Sequence, residues 1–145
     1  MRYIFFICEN DKFWIEMNDK NFATRQIILS DGRYRVSALE DCLAEGMIIE
    51  EEIGEDIITI SVEEFEHVWS EALIEYRKNW DSIKIKNKIN HYITAEMAYF
   101  YPQGAIFRTN DMIIVYVGED AVQLHEKKKM KIIGYDDVNM WIIAQ

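Results

Sequence analysis

One proline and six glycines in 145 residues leave little material for a flexible linker or a low-complexity tail, and half of the residues are apolar. A chain of that composition is expected to fold throughout. Cysteine is equally scarce: Cys8 and Cys42 match no metal-ligand or redox spacing, and one possible pair is a weak case for a disulfide in a chain with this much core, so both are expected as buried thiols. No apolar run approaches the length of a membrane span. The opening run Tyr3 to Cys8 meets Glu9, Asp11 and Lys12 too soon to be a signal-peptide core, which points to a cytoplasmic protein with no membrane partner.

Catalytic signatures are missing too. The chain has no Gly-x-Ser-x-Gly elbow, no glycine-rich loop that would cradle a phosphate and no dinucleotide fingerprint. Its three histidines, His67, His91 and His125, are far apart. His67 has Glu63 and Glu71 four residues to either side, a spacing that suits a helical ion-pair ladder better than a zinc motif, which would need a second histidine. The reading is therefore a non-enzymatic protein, with no catalytic residue, no cofactor and no metal assigned.

Acidic charge is plentiful and unevenly placed. Residues 1–80 hold eight Lys or Arg against eighteen Asp or Glu, which accounts for the whole net charge of −10; residues 81–145 hold eight of each. An excess of that sign repels nucleic acid and anionic membrane at long range and attracts basic partners. Glu50, Glu51, Glu52, Glu55 and Asp56 form the densest group and are the candidate protein-interaction residues.

Short runs rich in aromatic and β-branched residues open the chain: Tyr3 to Cys8, Phe13 to Met17, Phe22 to Leu29 and Arg33 to Ser37. Turn formers separate them, and Asp31-Gly32 suits the positive φ angles of a type I′ hairpin, so an antiparallel meander with one buried and one wet face is expected. Ala38 to Glu45 reads as a helical turn stopped by Gly46, and Glu50 to Asp56 as exposed loop. Ser61 and Glu64 have the spacing of a capping box, with Ile60 and Phe65 as a hydrophobic staple. From there Phe65, Val68, Trp69, Ala72, Leu73, Tyr76 and Trp80 recur at helical steps, predicting an amphipathic helix as far as Trp80. Beyond it Ile83 to Lys86 alternates, and strand patterning marks Tyr92 to Tyr99, Gly104 to Arg108, Met112 to Val117, Met130 to Ile133 and Met140 to Ile143. Strands this short and closely spaced fit a small five-stranded barrel. The fold class is α+β, with 1–80 as acidic meander plus helix and 81–145 as barrel.

Within that second region three segments carry a resemblance. Ile89 to Met97 stands where an opening strand would lie, Tyr101-Pro102-Gln103-Gly104-Ala105-Ile106-Phe107 matches a central turn, and Met130-Lys131-Ile132-Ile133-Gly134-Tyr135-Asp136 a closing strand. Together they resemble the RNA-binding OB-fold family first named from a ribosomal protein. The resemblance implies RNA or single-stranded DNA as partner, although the two base-stacking positions of the family fall at Gln103 and Ile106, which have no aromatic face. Tyr99, Tyr101 and Phe107 cluster around the same turn, and Lys127, Lys128 and Lys129 add positive charge alongside Lys84, Lys86, Lys88 and Lys131. Interleaved aromatic and basic residues are what sequence-tolerant single-strand binding uses. Three functions follow: nucleic-acid binding through these residues, an acidic inhibitor or immunity protein for a basic partner, and a ligand pocket lined by Trp14, Trp69 and Trp80.

Overall fold

In the computed structural model, which describes every residue from Met1 to Gln145, Asp31 and Gly32 take φ of 50° and 73°. Two consecutive positive values make the type I′ turn, and Ser30 pairs with Arg33 across it. Glu9 and Asn10 repeat the device at 51° and 73° between the paired Cys8 and Asp11. The result is the expected meander: β1 (Arg2–Cys8), β2 (Asp11–Met17), β3 (Ala23–Ser30) and β4 (Arg33–Val36). A one-turn helix α1 (Glu50–Ile53) and a two-residue strand β5 (Ile58–Thr59) follow, and β5 joins β1 to give the order β4-β3-β2-β1-β5.

Two local expectations are corrected here. Residues 38–45 form a turn and then irregular chain, not a helical turn, because Gln26 holds them from below: its Oε1 accepts the Ala44 N–H at 2.8 Å. Glu50, Glu51 and Glu52 are the body of α1 rather than loop; three carboxylates suit the positive end of a helix dipole, and Gly54 at φ 73° ends it.

Both faces of the meander are partly covered, so the alternation read from its charged residues does not leave one face wholly wet; Ile7, Lys12 and Arg33 stay exposed at its edge. Register places Tyr3, Glu16 and Arg25 on one face, and Ile4, Ile15 and Gln26 on the other. α2 (Val62–Ala72) covers the first face, its Phe65 ring 5.1 Å from Tyr3. The chain from Ser37 to Ile53 lies on the second, pinned by the Phe22–Met47 bridge and the Ile48 N–H to Asn21 carbonyl bond. Ser61 caps α2 as predicted, its Oγ accepting the Glu64 N–H at 3.1 Å.

The predicted single helix to Trp80 is in fact two. A turn over 73–76 separates α2 from α3 (Arg77–Lys86), and α3 absorbs the Ile83 to Lys86 stretch that alternates like a strand. Burial explains both errors. Leu73 closes the stripe of α2, Ile74 beside it is 72% exposed, and Trp80 and Ile83 begin a separate buried pair, spaced three apart. Accordingly the chain divides into Met1–Ile74 and Glu75–Gln145, six residues earlier than the expected boundary at Trp80. Counted over these units, the first has six Lys or Arg against seventeen Asp or Glu, a charge of −11, and the second ten against nine, a charge of +1.

In the second unit β6 (Tyr92–Tyr101), β7 (Gly104–Arg108), β8 (Ile113–Tyr116), β9 (Lys127–Asp136) and β10 (Trp141–Ala144) form the second sheet. Hydrogen bonding follows the order β10-β8-β7-β6-β9 and returns from β9 to β10; β8 and β10 are the one parallel pair. The protein is thus mixed α+β and mostly strand, with two sheets of five strands. Asn90, just before β6, takes φ 75°, a conformation Asn tolerates. Gly104 is required: at φ 146° any Cβ would lie 2.6 Å from the Tyr116 carbonyl oxygen. α3 is tied to the β9–β10 turn by Asp137, whose Oδ1 accepts the Trp80 indole N–H and the Lys84 ammonium, each at 2.8 Å. These two donors hold the Asp137 carboxyl below the ordinary aspartate value. Tyr135 completes the tie, its hydroxyl donating to the Asn87 carbonyl at 2.6 Å. Phe107 and Met97 are wholly buried in this unit, each such side chain contributing about 1.5–3 kcal/mol.

Candidate interaction surfaces

The aromatic residues expected to stack on bases are core residues. Phe107 is fully buried and its ring lies 5.9 Å from that of Tyr116; Tyr101 is buried against Trp141, also at 5.9 Å. Tyr99 is half-buried beside Tyr101 at 4.9 Å. The alternation of β6, which buries Ile93, Ala95 and Met97, carries on to turn Tyr99 and Tyr101 toward the interior. Ile106, one of the two places where the family resemblance expects a stacking side chain, is 0% exposed, and every residue of β8 is buried. The surface aromatics of this unit are Tyr92 and Phe100.

A different face of the same strands carries the charge. On β6, Tyr92, Thr94 and Glu96 point outward and pair with Lys131, Lys129 and Lys127 of β9; on its other side Glu96 pairs with Arg108 of β7. Over them lies an open groove of about 610 Å³ lined by Thr94, Glu96, Arg108, Thr109, His125 and Lys127, among others. His125 Nδ1 is 3.4 Å from a Glu96 carboxylate oxygen, and the Lys129 ammonium sits 5.1 Å over the Tyr92 ring. Lys128 alternates to the opposite side, where it faces Asp120 at 3.6 Å and the Tyr116 ring. Of the three lysines selected from the sequence, two therefore share a face and one does not. Tyr92 and Arg108 were missed there, although the alternation with buried Ile93, Ala95 and Met97 already puts Tyr92 outside.

The acidic residues of the first unit gather as expected. Glu51, Glu52, Glu55 and Asp56 are exposed on α1 and the loop after it, whereas Glu50 is half-buried and ion-paired with Arg2. Beside α1 is an apolar groove of about 290 Å³ that the sequence does not announce. Phe6, Phe13, Ile15 and Gln26 of the sheet form its floor, Ala44, Ile48, Ile49 and Ile53 its walls, and Glu45 and Glu52 its rim. Met47 and Ile49, next to it, are 57% and 43% exposed.

A second unannounced feature is a buried ionic cluster. Arg25 and Glu16 are each 5% exposed and face one another across β2 and β3, Nε to Oε1 at 3.0 Å and Nη2 to Oε2 at 2.6 Å. Glu66 of α2 takes two further bonds from the guanidinium, which lies 4.9 Å from the Phe65 and Trp69 rings. Burial alone would raise the Glu16 carboxyl, but the hydrogen bonds from Arg25 and Thr24 outweigh it and hold it below its ordinary value. Against its own desolvation, the hydrogen bonds to Glu16 and Glu66 push the Arg25 guanidinium up. Only tertiary pairing makes these charges compatible with a core.

Other titratable groups are placed as follows. The cysteines are half-buried rather than buried, and free. Burial pushes the Cys42 thiol up to about 12, and desolvation with the nearby Glu55 raises Cys8. His67 is exposed and lies 3.9 Å from Glu71, one of the two rungs expected of a Glu63–His67–Glu71 ladder. No group of three or more His, Cys, Asp or Glu side chains is placed to hold a metal ion. Trp69 and Trp80 are buried in the cores of different units, and Trp14 packs on Phe5. No helix is long and apolar enough to cross a membrane. Neither a protein-family model nor a curated protein matches the chain.

Proposed function

We propose that this chain is a non-enzymatic cytoplasmic binding protein whose acidic first unit docks a basic protein, as an inhibitor or immunity protein would. One observation carries the reading: the −11 of residues 1–74 coincides with exposed apolar side chains and a groove at α1. Charge of one sign accelerates encounter with a basic partner, and apolar contact supplies the part of affinity that steering does not. The absence of catalysis in this reading is supported by how the polar clusters are used. Glu16, Arg25 and Glu66 satisfy one another, and the raised thiols are poor nucleophiles.

Nucleic-acid binding is the second reading, on a changed set of residues. The second unit is read as an OB-like barrel, because five strands closing through a single parallel pair suit that Greek-key architecture. With Tyr101 and Phe107 buried, a single strand would run instead over the outer face of β6 and β9, on Tyr92, Lys127, Lys129, Lys131 and Arg108.

One experiment separates the two. Tagged full-length protein is used to capture partners from its own host at low ionic strength, and the eluate is assayed for protein and nucleic acid. The first reading expects a basic protein that is released by salt and lost when Glu51, Glu52 and Glu55 are changed to Gln. Recovery of RNA or DNA alone, abolished by Lys127→Ala with Lys129→Ala, would overturn it in favour of the second.

A further inference from the structure

We infer that the groove at α1 receives an apolar side chain from a lysine- or arginine-rich amphipathic segment of the partner, with its cations on Glu45 and Glu52. The inference rests on the docking reading above and specifies the site and the chemistry of what enters it. Groove volume is the first argument. At about 290 Å³ and open to solvent, it is at the lower edge of the roughly 300–1,000 Å³ that enclose small molecules, so it suits an inserted side chain better than a free ligand. Its lining is the second. Phe13, Ile48, Ile49 and Ile53 offer apolar surface, and the charged side chains that line the groove are both carboxylates. Charge around it is the third, and it selects the occupant. Glu45 and Glu52 stand on the rim, Glu51, Glu55 and Asp56 lie exposed nearby, and Arg2 and Arg35 are engaged by Glu50 and Glu40.

A second copy of this chain is disfavoured by the same numbers, since two units at −11 repel. An acidic or neutral amphipathic segment would fill the groove but leave the rim carboxylates facing like charge or nothing. A basic segment with an apolar stripe satisfies both features, as in helix-in-groove recognition.

The test is an NMR titration of the full chain with a synthetic Leu/Lys peptide whose leucines form one helical stripe, and with a scrambled peptide of identical composition. The patterned peptide is expected to shift the amide signals of Ala44, Glu45, Ile48, Ile49 and Glu52 and to bind roughly tenfold or more tightly than the scrambled one. Ile49→Lys, at a site already 43% exposed, should erase that preference, while Ile74→Lys at 72% exposure should leave it intact. Equal binding of both peptides, or indifference to Ile49→Lys, overturns the groove as the docking site. If the captured basic partner still binds in that case, the broader docking reading stands without it. A dimer in solution that Ile49→Lys dissolves would assign the groove to a second copy and equally refute the inference.

Discussion

Arg25 is the residue on which the first unit most depends. Its guanidinium is buried between two rings and two carboxylates, so removing it leaves Glu16, 5% exposed, with a buried charge and no cation against it. Breaking a buried ion pair from one side typically costs about 3–5 kcal/mol. Arg25→Met should lower stability in urea by that order, whereas Arg25→Met combined with Glu16→Leu should recover much of it, since Glu66 is partly exposed and can turn to water. The same cluster fixes the response to acid. Glu16 holds its proton more weakly folded than unfolded, so its contribution is complete above the ordinary glutamate value of 4.5 and is lost as pH falls through the depressed one. Acid titration of stability should therefore steepen below about pH 4.5, and Glu16→Gln should flatten that limb.

At the level of elements, local chemistry that needs no tertiary partner was readable in the sequence. The Ser61 cap and the Asp31-Gly32 turn are settled by the residues themselves, and both are found where expected. Ser61→Ala should cost about 1 kcal/mol, visible as a lower midpoint and as faster amide exchange at Glu64. Elements defined by what they pack on were not readable. The stripe from Phe65 to Trp80 keeps helical spacing through the turn at 73–76, because two buried stretches for different cores happen to stay in phase. β5 is too short to show a period and exists through its pairing with Ile4 and Phe5. The candidate sites follow the same division. Acidic clustering at Glu51 to Asp56 is a property of composition and survives, while the burial of Phe107 belongs to a β7 buried at three successive residues, Ala105, Ile106 and Phe107, which no alternation announces. The groove at α1 was invisible for the same reason, its floor coming from β1, β2 and β3 and its walls from residues 44–53.

For the whole molecule, the unequal charge makes an opposed pair of demands. Seventeen acidic residues against six basic ones in residues 1–74 repel one another in the folded state, and the exposed carboxylates at α1 add to that repulsion without being paired. Salt screens such exposed charges over a Debye length of about 8 Å at 0.15 M, so it should relieve the repulsion and stabilise the free protein. A basic partner would be affected in the opposite sense, its association slowing as the attraction is screened. Raising NaCl from about 10 mM to 150 mM should therefore slow amide exchange in β1 to β3 while leaving β6 to β10, in a unit of charge +1, nearly unchanged. Changing Glu51, Glu52 and Glu55 to Gln should mimic salt in the first unit, raising its stability at low ionic strength and weakening the salt dependence. Slower exchange of equal size in both units would point to a general salt effect instead of charge repulsion. Acidic residues whose removal stabilises the free chain are not there for the fold, and that outcome would leave binding as the reason these carboxylates stand together.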